Sequence, residues 1–466
     1  MNIPQSWKAP SSIVETVVVN RGKRHRQSWI AEAFSIRVGL LCHDSCNQHA
    51  RRRQRRGVSR GAAGLRVAML GWEFPPFMSG GLGVHCENLS KKLVAEGVEV
   101  DFFMPQNSCR IEAGGVNLVP VYYSEEHASM NAATADPYYK LRQEMSFVAS
   151  KKDFLRPLRG KATGKADRYN ARVARRIAKR HARKPYDLVH VHGRFNLGAA
   201  VMAKHLTGLP FVWTVHSTAF DEAAEANVDE WQYNLERAGG READRIIAVS
   251  RRTKSQLNSS RFGLKSGKIS VIYNGIDAKR FAAERPAKAR RSTVLFHGRL
   301  TSQKGPKYFL LAAHDYLSRF SRHRARFVMS GKGHLRDNLE CFARELRINR
   351  RVSFPGFIPE RRLPAVYSGS DVFVLPSVSE PFGITVLEAA AAGVPSVISK
   401  TCGVGEVLNS CLKVDYWDVS AISDKVHALL TDDGLYGRLS EKSRAAANRL
   451  SWDSIAAETA EVYAGV

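Results

Sequence analysis

The chain lacks any run approaching the roughly 18 uncharged apolar residues that a membrane-crossing helix needs, so no transmembrane segment is expected. It lacks an Asp-x-Asp tripeptide, a short acidic pattern that would hold a metal ion against a diphosphate, so neither a metal nor another cofactor is expected. Matched cysteine pairs are missing too. The seven cysteines, Cys42, Cys46, Cys86, Cys109, Cys341, Cys402 and Cys411, are odd in number and scattered. The one close pair, Cys42 and Cys46, has no second pair to complete a zinc site. They read as reduced thiols of a cytoplasmic protein. Acidic residues are scarce: 44 Asp and Glu stand against 71 Lys and Arg, for a formal charge of +27.

That excess is concentrated. Residues 1–64 hold 12 Lys/Arg against 3 Asp/Glu, and residues 151–184 hold 14 against 2. A charge this high attracts nucleic acid, anionic lipid or an anionic substrate. No DNA- or RNA-binding motif accompanies the basic runs, and no aromatic residue interleaves with the Arg cluster at 51–56. A solvated tail plus one solvated helix face is the plainer reading, and no nucleic-acid partner is expected. Residues 1–64 have no clear period, and "RRRQRRGVSRGAAG" reads as a linker, so this segment is taken as a disordered extension outside the fold. Its apolar patch "IRVGLLC" has basic runs on both sides, unlike a signal peptide. An Arg-rich organelle-targeting peptide, or a start codon assigned too far upstream, has the same composition.

What is present is a regular alternation. The 466 residues suffice for two or three cores, and 44% apolar with 25% charged content is ordinary for a globular protein. "LRVAMLG", "VEVDFFMP", "DLVHVH", "FVWTVH" and "RIIAVS" read as strands, with helical stretches between them. One of these, "DRYNARVARRIAKRHARK", places Tyr169, Val173 and Ile177 on one stripe and leaves a basic remainder. A second series follows: "STVLFHG", "RFVMSG", "RVSF", "DVFVLP", "PSVIS" and "CLKVD". Continuous apolar strands alternating with helices argue parallel sheets covered on both faces. The expected fold is α/β: two doubly wound, Rossmann-like domains facing each other across a cleft, spanning 65–275 and 276–450. The joining segment is "NGIDAKRFAAERPAKARR" (274–291), and 451–466 is expected as a helix packing back on the first domain. Ligands of such sheets sit beyond the carboxyl ends of the strands.

Three segments at those ends carry chemistry. "SGGLGVH" (79–85) lies between a strand and a helix, where Gly81 and Gly83 let the backbone approach a ligand and a helix start offers N–H groups to an anion. A tight turn needing positive φ uses glycine in the same way, and Cys86 rules out a GxGxxG fingerprint. "HGRLTSQKG" (297–305) puts Arg299 and Lys304 at a strand-to-helix turn, a fork and a point charge that suit a diphosphate, or simply solvent. In "SVSEPFGITVLEAAAAG" (377–393), Glu380 sits on the loop after a strand and Glu388 within the helix that follows. Carboxylates accept hydrogen bonds in pairs, which suits vicinal hydroxyls, so one acid would hold a sugar and the other a ribose. The N–H groups of Phe382, Gly383, Ile384 and Thr385 would face phosphate between them. Read singly, Glu388 is an exposed helical acid and Glu380 an N-terminal helix charge.

The combination resembles the family 4 glycosyltransferases of GT-B fold over about residues 65–466. "EPFGITVLE", with its E-x7-E spacing, carries the resemblance together with "GRLTSQKG" and "NGID". "GWEFPPFMSGGLGVH" is similar to the glycogen-synthase-like branch. The chain departs from that branch at Met78 and Ser79, where a Lys usually precedes the glycines, at Phe382, where a Cys is usual, and in "KTCGVGEV". The sugar, the nucleotide and the acceptor therefore stay open.

The resemblance implies a retaining hexosyltransferase taking a nucleotide-diphosphate sugar as donor and a carbohydrate as acceptor, with glucose and an α-glucan as the first assignment. Arg299 and Lys304 would bind the donor diphosphate, Glu380 would face the transferred sugar, and Glu388 the ribose. His216, in "TVHST", matches a family histidine near the reacting sugar. Asp221, Ser250, Arg251, Tyr367 and Phe357 are further candidates, the last two near the base. A transferase of cell-envelope or exopolysaccharide synthesis, a disaccharide-forming enzyme and a catalytically silent GT-B binding protein are the alternatives.

Overall fold

A computed structural model of the chain describes residues 63–75, 80–105, 113–121, 145–161, 164–224, 226–282, 292–322 and 325–466. The extension assigned to 1–64 thus falls almost wholly outside the described residues, as do Met78, Ser79, Cys42, Cys46 and Cys109. The four described cysteines, Cys86, Cys341, Cys402 and Cys411, are free thiols.

The first sheet comprises β1 (Arg66–Leu70), β2 (Glu99–Pro105), β3 (Asn117–Val121), β4 (Leu188–His192), β5 (Phe211–Val215), β6 (Arg245–Ala248) and β7 (Ile269–Val271), in the order β3-β2-β1-β4-β5-β6-β7. The second comprises β8 (Thr293–His297), β9 (Arg326–Ser330), β10 (Val352–Gly356), β11 (Val372–Leu375), β12 (Ser396–Ser399) and β13 (Leu412–Val414), in the order β10-β9-β8-β11-β12-β13. Every pairing is parallel. These are two α/β domains of doubly wound type. In each the strand order reverses once, between β1 and β4 and between β8 and β11, and a crevice opens at such a reversal.

The strands read as apolar runs because both faces of each sheet are covered. In β1, Ala68 and Leu70 join one core and Val67 and Met69 the other, the period-two division of a sheet buried on both sides. The first core takes the apolar stripe of the Lys165–Arg183 helix: Tyr169, Val173 and Ile177 are fully buried, while Arg168, Arg172, Arg175, Arg176, Lys179 and Arg183 are exposed. Part of that helix's charge is spent internally, since Arg180 and Arg66 pair with the buried Asp101 at 2.9 and 2.6 Å. The second core takes Trp452, Ile455, Ala456, Ala460 and Tyr463 from the last helix, Trp452–Ala464, which packs against the Gly81–Ala95 helix. The chain therefore crosses from the second sheet back onto the first. No helix among the described residues is long and apolar enough to cross a membrane.

Two strands carry no sequence signal of the kind that marks the others. β3 contains Pro120, which cannot donate to a ladder and is tolerated because β3 is an edge strand. β7 is only three residues long, at the opposite edge.

Candidate active site

At the reversal of the second sheet, the loops after β8 and β11 interlock. The turn Ser302–Lys304 ends at Gly305, whose φ of +65° and whose missing Cβ, which would lie 1.9 Å from Pro376 O, both require glycine. This close approach sets Lys304 beside Glu380, and the two form an ion pair. Ser377 Oγ donates to the same Glu380 oxygen at 3.3 Å. Arg299 Nη2 donates to Gln303 Oε1 at 3.3 Å on the same turn. Glu380 is locked from behind: its carbonyl accepts from Gly403 N at 2.9 Å, and it pairs with Cys402 as an isolated bridge.

The chain then turns through Gly383, at φ +112°, where a Cβ would meet Cys402 Sγ at 3.0 Å and Glu380 Cγ at 3.3 Å. It enters the helix Ile384–Ala391, whose start no side chain caps. The first N–H groups of such a helix have no partner within it and carry partial positive charge. Ile384 and Thr385 are partly exposed, whereas Phe382 and Gly383 are buried. The Phe382 ring faces Tyr273 at 6.0 Å, and its carbonyl accepts from Val404 N at 2.7 Å. Phe382 thus seats the loop rather than opening onto the crevice.

Glu388 is buried, not an exposed helical acid. Tyr367 donates its hydroxyl to Glu388 Oε2 at 2.7 Å, and burial pushes the carboxyl up to about 7 despite that hydrogen bond. Tyr367 itself is fully buried and spends its hydroxyl on Glu388, so it does not line the open crevice. Phe357 is 54% exposed, with Lys332 Nζ 5.1 Å from its ring centre.

The first sheet faces this arrangement. Gly81 and Gly83 are not in a loop: they form the first turn of the Gly81–Ala95 helix. A Cβ at Gly81 would come within 3.1 Å of Ile384 Cδ1, so the two helix starts meet across the crevice. Gly83 N donates to Glu73 Oε2 at 3.2 Å. His216, half-buried directly after β5, lies with His192 of β4 and His85 of the helix: His192 Nδ1 and His216 Nε2 are 3.2 Å apart, and the His85 and His216 ring centres 4.5 Å apart. Burial holds these rings well below the ordinary imidazole value, His85 at about 4 despite its bond to Asn274, and repulsion from neighbouring rings adds to it at His192 and His216. Asn274, of "NGID", faces His85 Nδ1 at 2.8 Å. Glu222 pairs with Arg194 Nη1 at 2.7 Å. Burial pushes its carboxyl up, but the guanidinium groups of Arg194 and Arg299 outweigh that and hold it below the usual carboxylate range.

Asp221, Ser250 and Arg251 serve the joint between the two halves. Asp221 Oδ1 accepts from Ser379 Oγ at 2.7 Å and from Arg252 Nη1 at 2.8 Å, and Arg252 Nη2 reaches Ser379 Oγ at 2.9 Å. Ser250 caps the Arg251–Asn258 helix, and Glu406 of the second half accepts from the N–H groups of Arg251 and Arg252 at 2.8 and 2.9 Å. The residues that sequence reasoning missed, Glu73, His85, His192, Glu222 and Asn274, come from five separate segments. No local spacing announces them; only the reversal of strand order brings them together.

The profile of Glycosyltransferase Family 4 matches residues 79–280, and that of Glycosyl transferases group 1 matches residues 277–446. An uncharacterized glycosyltransferase of Methanocaldococcus jannaschii is 31% identical over 420 residues, covering 86% of this chain and 98% of its own length. The glycogen synthase of Mycobacterium tuberculosis is 30% identical over 416 residues, covering 86% and 94%. A D-inositol 3-phosphate glycosyltransferase of Xylanimonas cellulosilytica is 29% identical over 433 residues, covering 87% and 97%. Among solved structures, sucrose-phosphate synthase from Thermosynechococcus elongatus superposes with a TM-score of 0.70 at 21% identity, covering 86% of this chain and 98% of its own.

Proposed function

From the premise that the chain belongs to the family 4 glycosyltransferases, we propose that it is a retaining enzyme that moves glucose from a nucleotide-diphosphate sugar to a growing α-glucan. Sugar transfer builds positive charge on the anomeric carbon and negative charge on the leaving diphosphate. In this reading Arg299, Lys304 and the uncapped start of the Ile384–Ala391 helix receive the diphosphate, and fixed charges of this kind stabilise the transition state without reorganising. No metal bridge is needed, because two cations and a helix start already oppose the diphosphate's charge.

Glu380, held by Lys304 and Ser377, faces the transferred sugar. His216 faces the same sugar from the first sheet, as a neutral imidazole. Glu388 accepts from the ribose hydroxyls through Oε1, since Tyr367 holds Oε2, and Phe357 lies toward the base. The acceptor enters from the side of the first sheet, past Gly81. Attack on the face the diphosphate leaves retains the anomeric configuration with no covalent sugar–enzyme bond.

The observation that carries this reading is the meeting of Lys304, Glu380 and the Ile384 helix start at one strand-order reversal, directly opposite Gly81. The α-glucan assignment is supported by the likeness to the mycobacterial glycogen synthase. A screen of UDP-, ADP- and GDP-sugars, reading nucleoside diphosphate release, tests the donor. Incorporation of labelled glucose into glycogen tests the acceptor, with D-inositol 3-phosphate as the competing acceptor; label in the phosphate ester and none in glycogen replaces the glucan assignment.

A further inference from the structure

The three imidazoles at the carboxyl end of the first sheet do more than surround a sugar. His85, His192 and His216 each offer one ring nitrogen, and these nitrogens lie within 4.8 Å of one another. Their ring centres are 5.3 Å apart for His85 and His192, 4.5 Å for His85 and His216, and 5.5 Å for His192 and His216. A tetrahedral ion with metal–nitrogen bonds of about 2.0–2.1 Å places its donor nitrogens about 3.3 Å apart. His192 Nδ1 and His216 Nε2 already stand at 3.2 Å, in a hydrogen bond that an ion would replace. Only a small rotation of the rings brings in the third nitrogen.

Two further observations point to a ligand. His85 Nε2 is buried and has no hydrogen-bond partner among the described residues. An unpartnered nitrogen in that position is costly unless something fills the space between the rings. Asn274 Oδ1, 2.8 Å from His85 Nδ1, accepts the ring proton there and leaves the Nε2 lone pair facing the cluster. A carbonyl oxygen behind a histidine is the support that metal-ligating imidazoles use. The neighbouring His190 shows the contrast. Both its nitrogens are occupied, by Tyr463 Oη at 2.6 Å and Thr214 Oγ1 at 2.7 Å.

The chemistry of the donor set selects the ion. Three imidazoles suit Zn²⁺, Co²⁺, Ni²⁺ and Cu²⁺, whereas Mg²⁺ and Ca²⁺ prefer oxygen. The half-buried His216 leaves the cluster partly open to solvent, which gives the ion a route in.

We propose that His85, His192 and His216 form a binding site for a transition-metal ion of the Zn²⁺ type, and that the ion, once bound, inhibits sugar transfer by occupying the imidazole edge turned to the crevice. The inhibition rests on the reading of His216 given above; the binding does not.

The experiment uses the full chain, stripped of metal with a chelator. Titration with Co²⁺ reads visible d–d absorption, and Zn²⁺ affinity is measured by competition with a chromophoric chelator. The wild-type protein should bind one more ion per chain than a variant carrying His85→Gln, His192→Gln and His216→Gln together. Asn274→Ala keeps all three rings and should weaken Zn²⁺ by about 10- to 100-fold, the cost of losing such a support. Equal stoichiometry in wild type and triple variant, or full affinity in Asn274→Ala, overturns the site. His85 and His192 are buried, so the triple variant can fail to fold. His216→Gln alone then carries the comparison, with its melting temperature measured alongside, and unchanged affinity in it overturns the site equally. Saturating Zn²⁺ should suppress nucleoside diphosphate release reversibly, and added chelator should restore it. Binding without suppression overturns the inhibitory half and separates the metal site from the sugar.

Discussion

Lys304, on the turn after β8, donates its ammonium to Glu380, on the loop after β11, so the two strands that flank the reversal of the second sheet are tied by a charge pair. The pair is largely buried, with side-chain exposures of 17% and 6%. Removing one partner from such a pair leaves an uncompensated charge, at a cost of about 3–5 kcal/mol. Lys304→Ala should therefore lose both stability and turnover, the latter by roughly 100-fold as a charge that faces the leaving diphosphate disappears. Adding Glu380→Gln to Lys304→Ala should recover most of the stability and none of the turnover. Denaturation and initial rates on the two single variants and the double variant check this; recovery of turnover in the double variant would remove Lys304 from the diphosphate.

Glu388 gives a pH signature. Its carboxyl titrates at about 7 in the folded protein against an ordinary value of 4.5, because it is buried against Tyr367. Between those values the folded state binds the extra proton, so folding stability falls as pH rises from about 4.5 through about 7, and then levels off. In Glu388→Gln this slope vanishes. The melting temperature of the variant relative to wild type should climb across that interval and hold constant above it. Calorimetric scans at a series of pH values read the difference directly, and a pH-independent difference would place the carboxyl outside its buried site.

In the proposed function the same residue separates ribose from sugar. Glu388→Gln should weaken free nucleoside diphosphate, since a charge-assisted hydrogen bond to a hydroxyl is worth about 1.5–3 kcal/mol. Glu380→Gln should leave that affinity unchanged and lower kcat far more than it raises KM. Isothermal titration of both variants decides; equal losses in the two would mean that the acids do not divide the donor between them.

The joint between the halves is testable through Ser379, which meets Asp221 at 2.7 Å and Arg252 at 2.9 Å. Ser379→Ala removes both bonds and leaves Asp221, which is fully buried, with one partner fewer. Stability should drop by about 1–3 kcal/mol in urea unfolding, the cost of stranding a buried polar partner. A change below about 0.5 kcal/mol, the level of an ordinary surface substitution, would show that the joint is held elsewhere.

The sequence displays the fold where burial is complete. β1, β4, β5, β8, β11 and β12 are apolar because both their faces are covered, and each reads as a strand without help. β3 and β7 do not, because an edge position tolerates Pro120 in one and only three residues in the other. Arg299, Lys304, Glu380, Ile384 and Thr385 stand at one end of one sheet because they fall within two short strand-to-helix segments. The crevice-facing groups of the first sheet are hidden for the opposite reason. His85, His192, Glu73 and Asn274 are contributed singly by separate segments, and their proximity to His216 is a property of strand order. Burial is hidden as well: "ITVLEAAAAG" alone places Glu388 on a helix, but only the packing of Tyr367 against it shows that the acid is largely shielded from solvent.

In the proposed function this crevice holds a nucleotide-diphosphate sugar by its diphosphate, between Arg299, Lys304 and the start of the Ile384–Ala391 helix. The most direct test is nucleoside diphosphate release from UDP-, ADP- and GDP-sugars with an α-glucan acceptor, run on wild type, Arg299→Ala and Lys304→Ala. Wild type should release the diphosphate from one donor of the panel, and each variant should be slower by roughly 100-fold or more with its fold retained. Release by a folded Arg299→Ala and a folded Lys304→Ala at the wild-type rate would contradict the account.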